Sequence, residues 1–418
     1  MVARTGAGVT TTDRGLWGHP GFLRLWAAQA VSSFGARIAR EGLPMTAVIL
    51  LRAPPAAMGA LSAVGLAAYA LVGVIAGALA DRLPRRALMI GADLGRTLVM
   101  LAVPAAALAG RLDLAGVALA LAAMSALTVI FDVADHAFLP QLIERAQLTD
   151  GNAKLAATDA AGEVGGPAIA GVLFQIFSAP LAIAVSALTY LASAFCLLFV
   201  RAPRSIAAAP AEPLRFDVAA GFSVVLAHPI VRPIWLMALG RDFFGWFFGA
   251  LYTLFGLEVL RLSTAELGLT IAAGGVGALA GAWLAPLVSR RVGAGAAIVA
   301  ASLLAGATAA LVPLAGGPPL AAMATLVVAQ LSGDAIGSVR DIAQASLRQA
   351  VLPPEALGRT AGAFATGQGL AGVAGALAGG ALGSAIGPRE TLYLAAAGLF
   401  LTGLIGLASP LRGARVAA

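Results

Sequence analysis

The sequence has few charged residues. Asp, Glu, Lys and Arg make up 11% of its 418 residues, whereas soluble domains keep about a quarter of their residues charged. Hydrophobic residues account for 60%. A chain of this composition cannot cover a water-facing surface, so we expect a polytopic membrane protein. The basic balance does not indicate nucleic-acid binding, because the arginines are spread through short loops rather than gathered on one face.

Residues that carry enzyme chemistry are also scarce. The single cysteine, Cys196, excludes an internal disulfide, and the three histidines give no metal-ligand spacing. No glycine-rich loop carries the Lys-Ser or Lys-Thr pair that binds nucleotide phosphates. We therefore predict no enzymatic activity, no metal and no cofactor. The energy for any active process must then come from an ion gradient.

Apolar runs long enough to cross a bilayer, about 20 residues each, occur repeatedly along the chain. Twelve runs qualify, at roughly 21–51, 56–80, 87–110, 114–134, 152–177, 180–201, 233–257, 266–289, 294–315, 319–340, 360–386 and 390–409. No alternating pattern typical of barrel strands is present, so an all-α membrane protein with twelve transmembrane helices is predicted.

The placement of arginines predicts the orientation. With an even number of spans both termini lie on one side, and the loops of that side carry most of the arginines. The loops of the other side carry only Arg52, Arg111, Arg261 and Arg389. We expect both termini in the cytoplasm and the protein in a bacterial inner membrane.

The two halves of the chain repeat at an offset of 209 residues. His19-Pro20 recurs as His228-Pro229, and Asp132 recurs as Asp341. The repeat predicts two six-helix halves in the same orientation. The halves are 1–201 and 233–418, joined by a longer cytoplasmic linker at 202–232.

A short polar stretch between the second and third spans, Gly77–Arg86, reads G-A-L-A-D-R-L-P-R-R. It resembles the signature G-x-x-x-D-R-x-G-R-R of the major facilitator superfamily. The matching residues are Gly77, Asp81, Arg82, Arg85 and Arg86. Pro84 stands where the family usually has glycine, so the turn is expected to form differently.

This resemblance has implications for fold and gating. It implies the major facilitator fold, with twelve helices in two parallel repeats and a substrate site between the halves near the bilayer midplane. It implies a gating motif made of the matching residues together with Asp93 and Arg96 of the third span. It also implies that Asp81 docks on the second half, near the start of the eleventh span.

The fifth span carries a second motif, formed by Gly162, Gly166, Pro167 and Gly171. It resembles the antiporter motif G-x-x-x-G-P-x-x-G-G of the same superfamily, with Ala170 in place of one glycine. Residues elsewhere, such as Ala137-Phe-Leu-Pro140, are similar to the enterobactin-exporter-like branch, which includes siderophore and multidrug exporters. Drug exporters often have an arginine in the fourth span, and residues 114–131 contain none.

Charged and polar residues inside the spans are the candidate functional residues, because a charge in the bilayer is costly. We expect proton coupling from Glu163, Asp159, Glu41 and Asp334. Glu163 and Asp159 are four residues apart, so their carboxylates repel, which favours proton binding by one of them. Arg37 and Glu41 are also four apart and can pair on one face. In the superfamily that the chain resembles, the first helix lies close to the fifth, so Arg37 or Arg40 is the alternative counter-charge of Glu163. The candidate lining of the substrate cavity is Gln29, Ser33, Arg37, Arg40, Arg241, Asp242 and Phe244. For each charge the alternative is an ion pair that only holds helices together.

These features together predict a secondary active transporter. We expect it to be a monomer that exports a small, partly apolar molecule, such as a drug, siderophore or metabolite, in exchange for protons by alternating access. One alternative is a proton- or sodium-coupled importer on the same fold, and the Gly-Pro motif favours export over it. Another alternative is a non-transporting membrane subunit or receptor, which would need neither buried carboxylates nor the hinge motif.

Overall fold

The structure is a computed structural model that describes residues 16–200 and 218–415; inside the helices, the side chains of Val74, Ala78, Asp81 and Val218 lie outside the description. The regular structure of the described residues is helical, and we label the twelve long helices α1 to α12. They are α1 (Pro20–Leu51), α2 (Pro55–Arg82), α3 (Arg85–Leu108), α4 (Leu114–Leu142), α5 (Leu148–Ile176), α6 (Ala179–Leu198), α7 (Val231–Leu254), α8 (Thr264–Val292), α9 (Ala294–Ala309), α10 (Pro319–Val351), α11 (Pro354–Ile386) and α12 (Pro388–Leu407). A short helix, Val218–Ala227, lies within the predicted linker.

Several helices run beyond the predicted spans. Helices α4 and α10 end at Leu142 and Val351, well past the predicted 134 and 340, and α11 begins at Pro354 rather than 360. A span predicted from a run of apolar residues ends where the first charged residues occur. The backbone hydrogen bonds of a helix do not depend on apolar side chains, so the helix continues beyond the apolar run.

Ten of the described helices are long and apolar enough to cross a membrane. The other two long helices, α1 and α5, each carry several charged residues along their length. Large apolar side chains such as Leu71, Trp283 and Leu320, which are 71%, 78% and 78% exposed, lie on the outer surface, as expected where lipid covers it.

The two halves repeat in structure as they do in sequence. The starts of α2 and α8, Pro55 and Thr264, are 209 residues apart, and so are the starts of α3 and α9, Arg85 and Ala294. The repeated histidines serve as caps. His19 Nδ1 accepts a hydrogen bond at 3.0 Å from the backbone of Phe22 at the start of α1. His228 Nδ1 accepts from the first residues of α7 in the same way.

The hinge between α2 and α3 forms without glycine. Leu83 and Pro84 are extended, with ψ values of 153° and 118°. Arg85 Nη1 donates to Ala137 O of α4 at 2.8 Å, and Arg86 Nε donates to Leu197 O of α6 at 2.8 Å. The two arginines therefore bind carbonyls near the C-terminal ends of helices in their own half, where positive charge is favourable. The predicted contact of the Asp81 side chain lies outside the described residues.

The halves meet where α2 crosses α11 and where α5 crosses α8, and both crossings are built on glycine. A Cβ on Gly380 would lie 2.8 Å from Gly59 Cα, and a Cβ on Gly268 would lie 2.9 Å from Gly171 Cα. Gly59 and Gly268 are related by the repeat, as are Gly171 and Gly380. Small residues let the backbones of neighbouring helices approach closely, so one interface is used twice about a pseudo-two-fold axis.

Polar contacts follow the same symmetry. Ala56 N donates to Ser384 Oγ at 2.9 Å, and Thr264 Oγ1 donates to Gln175 Oε1 at 3.3 Å. Residues 175 and 384 are again 209 apart. These contacts lie at the starts of α2 and α8, on the side away from the α2–α3 turn. We call the side of that turn, Leu83–Pro84, the hinge side. Toward it, Asp159 and Asp341 are exposed, so the halves separate on the hinge side.

Substituting the crossing glycine on α11 tests the interface. We expect Gly380→Ala to destabilise the protein by about 1–3 kcal/mol, because the new methyl group would overlap the α2 backbone. Gly362→Ala on the same helix meets nothing within 4 Å and should stabilise by up to about 1 kcal/mol through helix propensity. Thermal unfolding of the purified protein measures both changes. Shifts of the same sign would contradict this packing.

Candidate transport site

A cavity of about 520 Å³ enters the first half between α1 and α4. Its polar lining combines cationic, acidic and hydroxyl side chains, contributed by Gln29, Ser32, Ser33, Arg37, Arg40, Tyr69, Arg96, Ser125, Thr128, Asp132, Asp135, His136, Asp159 and Tyr190. Leu121, Met124 and Phe131 give it apolar wall. Among the candidate lining residues, Gln29, Ser33, Arg37 and Arg40 border this cavity. Arg241, Asp242 and Phe244 belong to α7 in the other half.

The carboxylate of Glu163 on α5 is bound by two arginines of α1. Arg37 Nη1 forms an ion pair with Glu163 Oε1, and Arg40 Nη2 lies 3.1 Å from Glu163 Oε2. Arg40 Nε also contacts Glu41 Oε1 at 3.1 Å. Of the two pairings that the sequence allowed for Arg37, the one with Glu41 is therefore wrong. Arg37 reaches across to α5 instead, and the adjacent Arg40 neutralises Glu41.

The glycines of the fifth-span motif explain why the two helices come so close. Gly165 faces the ring of Phe34, and a Cβ on Gly166 would overlap Arg37. The same stretch touches the other half, because the Pro167 carbonyl lies against Gly268 of α8. The motif thus packs α5 between α1 of its own half and α8 of the other half.

The other carboxylate of α5, Asp159, has a different partner. Ser33 Oγ donates to Asp159 Oδ1 at 3.0 Å. Adding 209 to both numbers gives Asp242 and Gln368, and there Gln368 Nε2 donates to Asp242 Oδ2 at 2.7 Å. The repeat therefore conserves the position of this bond between the first and fifth helices of each half while exchanging the donor and acceptor groups.

The second half carries its own ion pairs. Arg241 Nη2 lies 2.9 Å from Asp242 Oδ1, and Arg241 Nη1 lies 3.9 Å from Asp341 Oδ2 of α10. Arg340 Nε contacts Asp341 Oδ1 at 3.1 Å. Phe244 packs against the rings of Phe243 and Phe247. The structure places it in an aromatic cluster of α7 rather than in the cavity lining.

Asp334 of α10 connects the second half to the Glu163 cluster. Its carboxylate lies against Gly274 of α8, while the next residue, Gly275, lies against the backbone of Glu163. Asp334 interacts electrostatically with both Glu163 and Arg40. Two glycines of α8 thus allow carboxylates of both halves to approach the same helix.

Asp93 and Arg96, predicted in the third span as part of the gating motif, form a buried pair that the sequence did not predict. They lie inside α3, with 0% and 1% of their surfaces exposed. Arg96 Nη1 donates to Asp93 Oδ1 at 3.1 Å, and Ser32 Oγ donates to the same oxygen at 3.2 Å. Two charges three residues apart within an apolar span were the available signal.

Aromatic rings surround the Arg96 guanidinium. Its Cζ atom lies 4.6 Å from the centre of the Phe131 ring and 5.3 Å from that of Tyr190, and Nη2 donates to Leu127 O at 3.2 Å. Ring faces attract cations. The guanidinium is therefore fixed by α4 and α6 of its own half, and Arg96 borders the cavity.

The chain belongs to the Major Facilitator Superfamily, whose sequence profile matches residues 25–376. No curated protein matches the sequence. The crystal structure of the nucleoside transporter NupG superposes with a TM-score of 0.75 at 12% identity, covering 93% of this chain and 98% of that one. An inward-facing, unoccupied bacterial homolog of the human lysosomal transporter Spinster gives 0.69 at 14% identity, covering 93% and 98%. An inward-facing bacterial homologue of the iron transporter ferroportin gives 0.64 at 18% identity, covering 92% and 98%.

Membership of this family makes the protein a multi-pass membrane transporter, secondary active by fold, rather than an enzyme. The predicted twelve-helix major facilitator fold is confirmed. The solved structures share that fold at low identity, so the enterobactin-exporter-like branch stays a prediction.

A double-mutant cycle measures the bond between α1 and α5. We expect Arg37→Gln and Glu163→Gln to show a coupling free energy of about 1 kcal/mol or more, because their side chains contact directly and are partly buried. The pair Asp150–Lys154, four residues apart within α5, serves as control and should give about 0.5 kcal/mol or less, as pairs within one helix do. Thermal unfolding supplies the free energies. Equal coupling free energies in both pairs would mean that the contact between Arg37 and Glu163 adds no particular stability to the packing of α1 on α5.

Proposed function

We propose that the protein exports a small, partly apolar molecule from the cytoplasm in exchange for protons. The observation that carries this proposal is the carboxylate of Glu163. It is held by Arg37 and Arg40 at the point where α5 of the first half crosses α8 of the second. A titratable group at such a contact can link its own charge to the relative position of the halves.

Proton binding at Glu163 would change the forces between the helices. The ionised carboxylate is the counter-charge of Arg37 and shares Arg40 with Glu41, whereas protonation leaves Arg37 without this partner and leaves Arg40 with Glu41 alone. Asp159, which lines the cavity, and Asp334 of the second half are the nearby carboxylates that gain from this release. Neutralising Glu163 therefore moves positive charge toward the cavity and toward the other half, and the rocking of the halves responds to that change.

The direction of transport follows from orientation and motif. We assign the hinge side to the cytoplasm because the loops on that side carry most of the arginines. The cavity of the first half is then accessible from the cytoplasm, and the glycine crossings close the other side. The Gly162–Gly171 motif, which resembles that of antiporters, supports export. Two of the structurally similar proteins are described as inward-facing.

The cavity wall indicates the kind of substrate. Its volume of about 520 Å³ lies in the range of sites for drug-sized ligands. Leu121, Met124 and Phe131 would bury an apolar part of such a molecule, while Asp132, Asp135 and Asp159 would face its polar groups. The transporter would act as a monomer in the inner membrane of a bacterium.

Transport by purified Glu163→Gln in proteoliposomes tests this function. Lipophilic fluorescent dyes, one cationic and one neutral, serve as probes under an imposed pH gradient. Because the amide mimics a permanently protonated carboxyl, we expect loss of accumulation against the dye gradient, while downhill exchange continues. Glu144→Gln, an exposed change outside the cavity lining, should behave as the parent.

Normal uphill transport by Glu163→Gln would remove this residue from the proton path. Loss of both uphill and downhill transport together with unfolding would mean that Glu163 only holds α1 and α5 together. Labelling of a cysteine introduced at Glu144 by a membrane-impermeant thiol reagent reports how each reconstituted molecule faces. In intact cells a cytoplasmic hinge side leaves this cysteine unlabelled.

A further inference from the structure

The buried cluster around Asp93 has four polar atoms without a partner. Asp93, Arg96, Tyr190 and Ser193 are between 0% and 1% exposed. Among the described residues, Asp93 Oδ2, Arg96 Nε, Tyr190 Oη and Ser193 Oγ make no hydrogen bond of good geometry, although the Ser193 hydroxyl lies beside the Asp93 carboxyl. Leaving a buried polar group without a partner is costly, because the group has lost its hydrogen bonds to water. A cluster of four in a single place calls for a functional explanation.

The repeat provides an internal control for this cluster. The positions equivalent to Asp93, Arg96, Tyr190 and Ser193 in the second half are Ser302, Ala305, Leu399 and Thr402. Ser302 Oγ donates to Ile298 O at 2.8 Å, and Thr402 Oγ1 donates to Leu399 O at 2.6 Å. The same fold is thus built in the second half with no charge and with both hydroxyl groups satisfied. Packing alone does not require the Asp93–Arg96 pair.

We propose that Asp93 is a second proton-binding site of the transporter, separate from Glu163 and reached from the cavity of the first half. Arg96, Tyr190 and Ser32 line that cavity, and Asp93 contacts both Arg96 and Ser32. A proton needs no room of its own, so the tight packing around the carboxyl group does not obstruct its binding.

A proton on Asp93 Oδ2 would give partners to two of these four atoms, Asp93 Oδ2 and Ser193 Oγ. The carboxyl O–H would donate to Ser193 Oγ, the hydroxyl beside it. In this step a hydronium ion in the cavity gives up one proton, an O–H bond forms on Asp93, and a water molecule is left behind. The reverse step returns the proton to cavity water.

Arg96 keeps favourable contacts after this transfer. Its guanidinium still donates to Leu127 O and still lies between the rings of Phe131 and Tyr190. Its charge, no longer matched by Asp93, would then act on Asp132 of the cavity wall, with which it already interacts electrostatically. The proton on Asp93 would in this way change the field that a substrate meets in the cavity.

The groups that face Asp93 come from each helix packed on it. They are the Arg96 guanidinium on its own helix, the Tyr190 phenol on α6, the Ser32 hydroxyl on α1 and, beyond Arg96, the Asp132 carboxylate on α4. Arg96 favours the ionised carboxyl. The missing partner of Oδ2 and the removal of the whole group from water favour the protonated one. This opposition makes the site able to exchange its proton.

The inference extends the proposed proton coupling, so its test must not depend on transport. Infrared difference spectroscopy of the purified full-length protein in lipid nanodiscs, across a pH series from about 5 to 9, detects the C=O stretch of each protonated carboxyl. We expect a pH-dependent band that is present in the parent and in Glu163→Gln and is lost in Asp93→Asn. Thermal unfolding verifies that each variant is folded.

Ser193→Ala provides a second test in case Asp93→Asn does not fold. It should shift the Asp93 band to higher wavenumber, because the carboxyl group loses a hydrogen bond. Thr402→Val, the change at the equivalent position in the second half, should leave the band in place. Identical spectra for the parent and Asp93→Asn, or an unshifted band in Ser193→Ala, would overturn the proposal. A persistent Asp93 band in a Glu163→Gln protein that still exports uphill would instead refute only the role of Glu163.

Discussion

The structure depends on the bond between Glu163 and the two arginines of α1. A carboxylate and two guanidinium groups are costly at this depth in a membrane unless they meet. They meet because Gly165 and Gly166 remove the side chains that would keep α1 from α5. The same segment of α5 then presents Pro167 and Gly171 to α8 of the other half. One short stretch of helix therefore brings together the charge cluster, the packing of the first half and the contact between the halves.

The two halves contact each other through equivalent positions but differ in the distribution of their charges. The contacts between the halves follow the repeat closely, since Gly59–Gly380 and Gly268–Gly171 use equivalent positions. Several of the charges do not follow it. The first half concentrates carboxylates and arginines around one cavity and buries Asp93–Arg96 in its core, whereas Ser302 and Ala305 occupy the equivalent positions of the second half. A symmetric hinge with an asymmetric charge distribution suits a transporter in which one half binds and the other half closes over it.

Much of the fold was accessible from the sequence, because bilayer thickness fixes the length of each span and the repeat fixes the pairing of helices. The small residues of the α5 motif are visible in the sequence, and they permit the close approach of α1 and α8 that the structure shows. Individual side-chain partners were harder to predict. Spacing along α1 allowed Arg37 to pair with Glu41, and the resemblance allowed Arg37 or Arg40 to pair with Glu163; the choice depends on how α1 and α5 are rotated against each other. Asp93 and Arg96 were placed in the third span as part of the gating motif, but their contacts depend on α1, α4 and α6, which the motif does not describe.

The central claim is that the charge of Glu163 sets which side of the transporter is open. Pulsed electron resonance between spin labels on Glu144→Cys and Arg291→Cys, in a Cys196→Ser background, measures the separation of the halves on the hinge side. We expect the distance distribution of the parent to shift with pH, and that of Glu163→Gln to stay in one state across the same range. A pH response in Glu163→Gln equal to that of the parent would contradict the account.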